Sequence, residues 1–67
     1  MDMYEELGSM MGTLEAYVDI LETIILNSKN EKANIYLRES MATIDRAVAS
    51  MSDALFENTV SPAEYDD

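Results

Sequence analysis

Between Leu7 and Leu26 the large apolar residues fall at Leu7, Met11, Leu14, Val18, Leu21 and Ile25. The steps alternate four and three, which is the spacing of a coiled-coil core. Leu7, Leu14 and Leu21 take the d positions, and Met11, Val18 and Ile25 the a positions. A second apolar row, Met10, Tyr17 and Ile24, stands one residue before each a position, at g. The stripe is therefore wider than a single partner helix covers.

The phase of this pattern does not continue. The next a positions after Ile25 would be Lys32, Glu39 and Arg46, all charged. The apolar rows reappear instead at Leu37, Ile44 and Met51 (d) and at Met41, Val48 and Leu55 (a). One uninterrupted helix would bury charges, whereas a hairpin avoids this. Asn27-Ser28-Lys29-Asn30 supplies the turn. Asp2 with Glu5, and Ser28 with Glu31, have the spacing of capping boxes. The expected elements are helix 1 over about 3–27 and helix 2 over about 29–58, forming one hairpin over 1–60. Ser61-Pro62 stops any helix, and 61–67 reads as a flexible acidic tail.

In such a hairpin Ile24 lies by Ala33, Tyr17 by Ser40 and Met10 by Ala47. Large residues on one helix meet small ones on the other along the g flank, which ends with Ala54. The e flank is polar: Glu22 lies near Arg38, Glu15 near Asp45 and Gly8 near Ser52. A chain of 67 residues without cysteine seldom holds a two-helix fold alone. With no disulfide available, association is the remaining source of stability. The expected fold is all-α, an antiparallel, coiled-coil-like helical hairpin that homodimerises into a four-helix bundle. Its interface would be Met10, Tyr17, Ile24, Ala47 and Ala54. Gly8 and Gly12 cost the first helix roughly 1 kcal/mol each relative to alanine. They read as tolerated surface glycines or as a place where a partner backbone comes close.

Fourteen acids against four bases give a formal charge of −10. That balance disfavours direct contact with nucleic acid and with anionic membranes. No apolar run approaches the length of a membrane span, and the N-terminus carries no signal-peptide pattern. A cytoplasmic location is the expectation. Histidine and cysteine are both absent, which removes the usual general base, thiol nucleophile and zinc ligands. No phosphate loop or calcium loop is present. The expectation is a non-enzymatic protein with no cofactor and no metal.

Glu15, Asp19 and Glu22 fall at i, i+4 and i+7 of helix 1, and no base precedes Lys29. Like charges so placed lower helix stability by roughly 0.2–0.5 kcal/mol per pair. One reading is a solvated face on an acidic protein. The other is an electronegative surface for a basic host protein, with carboxylates standing where a nucleic acid would carry phosphates. The bases Lys29, Lys32 and Arg38, with Tyr36 to stack, define an alternative anion site near the start of helix 2. There an oligomeric bundle would sequester a small anionic nucleotide. Six methionines serve as adaptable core filling or as a deformable groove. Tyr4, Tyr36 and Phe56 are further candidates for interface anchors. A purely structural coiled-coil adaptor is the third reading.

In size, acidity and helical-hairpin build the chain is similar in general character to phage-encoded inhibitors of host proteins, including DNA mimics and anti-defence proteins. The resemblance is one of composition and architecture. It implies a small inhibitor or regulator that binds a host protein.

Overall fold

The computed structural model describes residues 2–60, with side chains described to residue 58. Two helices, α1 (Met3–Asn27) and α2 (Glu31–Val60), pack against each other as a hairpin. The molecule is a rod with extents of 51 × 16 × 15 Å. The expected tail over 61–67 lies outside the described residues.

The start of α1 follows from Asp2. Its backbone is extended (φ −91°, ψ 109°), and its Oδ1 accepts the N–H groups of Tyr4 at 3.0 Å and Glu5 at 3.4 Å. Two donors that the first helical turn leaves unpaired are thereby satisfied. At the other end Ser28 turns out of the helix (φ −91°, ψ 134°), and its N–H reaches back to the Ile25 carbonyl at 3.2 Å.

The start of α2 differs from the sequence expectation. Asn30, not Ser28, caps this helix: its Oδ1 accepts the Ala33 N–H at 3.0 Å, and its carbonyl accepts the Asn34 N–H at 3.0 Å. Ser28 already serves as the C-cap of α1, and its hydroxyl instead accepts the Asn30 N–H at 3.2 Å. Asparagine and serine cap almost equally well, so local preference left two candidates. The connection decided between them. Glu31 becomes the first helical residue, and α2 is displaced by two residues at both ends from the expected 29–58.

The seam between the helices is the a/d stripe. Leu7, Met11, Leu14, Val18, Leu21 and Ile25 of α1 are all half-buried, as are Leu37, Met41, Ile44, Val48, Met51 and Leu55 of α2. Their neighbours on the outer faces are exposed. Among the described residues no apolar side chain is fully buried. Two helices give each seam residue contact on one side only. Each therefore gains part of the roughly 1.5–3 kcal/mol that full burial confers.

Among the described residues the two most buried side chains are polar, Asn34 at 7% exposure and Asn58 at 9%. Asn34 stands seven residues before Met41, and Asn58 seven after Met51. Both occupy heptad core positions, at the two ends of the α2 seam. No described helix is long and apolar enough to cross a membrane.

Candidate interaction surfaces

The two helices run antiparallel, so their g rows share one flank of the hairpin and their e rows share the other. On the g flank Met10, Tyr17 and Ile24 are exposed at 49%, 52% and 45%. Opposite them on α2, Ala33 and Ala47 are half-buried, and Ser40 and Ala54 are exposed. Ile20 is exposed too. It lies three residues after Tyr17 and four before Ile24, so it widens the same apolar flank. Reading a, d and g rows alone missed it; the i+3 and i+4 neighbours of the g row would have found it. Two shallow depressions of the surface lie on this side. One is lined by Glu6, Ser9, Met10, Thr13 and Leu14 of α1. The other is lined by Tyr36, Glu39, Ser40, Thr43 and Ile44 of α2.

The e flank has the opposite character. Glu15, Asp19 and Glu22 are all exposed there. Glu22 and Arg38 line a single depression of about 270 Å³ with Ile25, Leu26 and Met41. Here an acid and a base paired across the helices in the sequence reading share a concavity. Arg46 turns to its own helix and donates from Nη2 to Thr43 Oγ1 at 3.2 Å. Ile35 and Phe56 also stand exposed on α2, at spacings of seven through Ala42 and Ala49.

Two residues of the alternative anion site line different depressions. Tyr36 lines the depression beside Glu39, while Arg38 lines the one beside Glu22. Lys29 and Lys32 are exposed at the turn. Each depression therefore carries a carboxylate that opposes an anion. Among the described residues no group of three or more carboxylates is gathered as a metal site.

Gly8 and Gly12 lie on the acidic side of α1. A methyl group built on either would meet nothing within 4 Å, and neither has a positive φ. Nothing within the hairpin requires a glycine at these positions.

Comparison with protein families, with curated proteins and with solved structures returned no match. The functional reading therefore rests on the geometry of the two flanks.

Proposed function

We propose that the chain is a small, acidic, non-enzymatic inhibitor or regulator that acts by binding a protein. Two hairpins associate through the flank carrying Met10, Tyr17, Ile24, Ala47 and Ala54, forming a homodimeric four-helix bundle. The opposite flank, with Glu15, Asp19 and Glu22, engages a basic surface of a host protein in the manner of an anti-defence or DNA-mimic protein. The observation that carries this reading is the separation of two exposed rows on α1, Met10, Tyr17, Ile20 and Ile24 on one side and Glu15, Asp19 and Glu22 on the other. A surface that only kept the chain soluble would mix signs and scatter its apolar residues.

The test is the double variant Glu15→Lys with Glu22→Lys, measured for folding stability and for capture of basic nucleic-acid-handling proteins. Binding through this face predicts weaker capture, lost mainly in the association rate, and a steep salt dependence in the parent chain. Unchanged capture at low salt would reduce the face to a solvated surface. Sequestration of an anionic nucleotide is the less favoured reading, because Tyr36 and Arg38 line separate depressions, each with its own carboxylate. A structural adaptor would dimerise but show no salt-sensitive capture.

A further inference from the structure

The apolar flank is uncharged along most of its length, but its two ends differ in sign. At the open end of the hairpin Glu6 borders Met10. Glu57 continues the row of Tyr36, Thr43 and Ser50 at spacings of seven, and Asp53 stands one turn before it. At the turn end stand Lys29 and Lys32, with Lys32 one turn before Tyr36. All five charged residues are exposed. Glu39, which lines the depression with Tyr36, is the carboxylate bordering the flank in the turn half, and Arg46, seven residues on and bonded to Thr43, is a base near the middle of α2, so the difference in sign lies at the two ends.

We propose that the occupant of this flank is a second copy of the chain lying antiparallel to the first, with the two turns at opposite ends of the bundle. The inference rests on the dimer reading above and specifies its orientation. Two twofold arrangements place one apolar flank on another. With the turns at the same end, α1 faces α2 of the second copy, and the carboxylates of Glu6, Asp53 and Glu57 from both copies gather at one end. With the turns at opposite ends, α1 faces α1 and α2 faces α2. The first Lys32 then comes opposite Glu57 of the second copy, and the reverse pair forms at the far end. The same-end arrangement has the merit of setting the large α1 row on the small α2 row. The opposite-end arrangement reaches equal closeness by tilting, because Ala33, Ser40, Ala47 and Ala54 let the two α2 helices approach. Tilting cannot relieve the crowding of six carboxylates at one end, and the chain is already at −10. Charge complementarity along the long axis therefore selects the opposite-end form. In either arrangement the acidic flanks of the two copies face away from each other, so the dimer offers two binding surfaces.

The sequence contains no cysteine, so Glu31→Cys gives a single labelling site at the first residue of α2, away from the apolar flank. A spin label there reads the orientation by pulsed electron resonance. Thirty residues of α2 put the two labels about 45 Å apart with turns at opposite ends, and within about 25 Å with turns together. A second variant guards the result. Lys32→Glu should weaken dimerisation roughly tenfold at low salt, and adding Glu57→Lys should restore it. A long distance with charge-swap rescue supports the inference. A dimer with a short distance, or with no weakening by Lys32→Glu, overturns the orientation while leaving the dimer reading intact. A chain that sediments as a monomer overturns both.

Discussion

Asn34 reaches back from the first turn of α2 to the link between the helices, its Nδ2 donating to the Ser28 carbonyl at 3.3 Å. The residue is 7% exposed, and its Oδ1 is buried with no hydrogen-bond partner. A single amide thus fastens the connection while leaving one acceptor unsatisfied. The first effect is worth about 0.5–1.5 kcal/mol, and the second costs about 1–3 kcal/mol. The balance points to specificity of the turn at some expense of stability, as a buried asparagine does in a coiled-coil seam.

Asn34→Leu should therefore raise the melting temperature, because it completes the heptad row that continues through Met41 and removes the unpaired acceptor. Asn34→Asp should lower it by a larger amount, since a carboxylate cannot donate to the Ser28 carbonyl and would bury its charge. Thermal melts followed by circular dichroism order the three chains. Finding the leucine variant less stable than the aspartate variant would show that the amide contributes more than its two contacts suggest.

The cap of α2 offers a second check. Asn30→Ala should destabilise the hairpin by about 1 kcal/mol, within a range of about 0.5–2. Ser28→Ala removes only the hydroxyl that accepts the Asn30 N–H and should cost less. Urea titrations of both variants rank them, and the reverse order would return the cap to Ser28.

Gly8 and Gly12 make a prediction of gain. Neither position has a neighbour that an added methyl group would strike. Gly8→Ala and Gly12→Ala should each raise stability by roughly 1 kcal/mol. If the double variant melts higher yet captures less partner, a partner backbone uses the space these glycines keep open. If it melts lower, a contact within the assembly already occupies that space.

The heptad rows were the most legible part of this chain. Every residue placed at a or d from Leu7 to Ile25, and from Leu37 to Leu55, is half-buried, because burial of a seam depends on periodicity alone. Asp2 was legible for the same local reason, as a capping side chain next to an apolar period. The Ser28–Asn30 connection was not. Two good caps stood two residues apart, and the choice depended on how α1 ends. Asn34 and Asn58 were passed over because polar residues were not expected in the core rows; extending the a and d rows by one heptad in each direction finds both. Glu22 and Arg38, on facing helices, line one depression, whereas Tyr36 and Arg38 line different ones. Residues two apart on a helix point in directions about 200° apart, so a cluster in sequence was not a cluster in space.

Ala47 is half-buried in the hairpin and stands near the midpoint of α2, where two antiparallel copies would come closest. Ala47→Glu should dissociate the assembly or unfold the chain by placing a charge in that contact.

The most direct measurement is sedimentation equilibrium of the full chain over a range of concentrations, with helicity recorded on the same samples. A homodimer gives a species of twice the 7.5 kDa chain mass, with helicity and mass falling together on dilution. A monomer that stays fully helical at all concentrations would contradict it, because the exposed Met10, Tyr17 and Ile24 would then need no second copy.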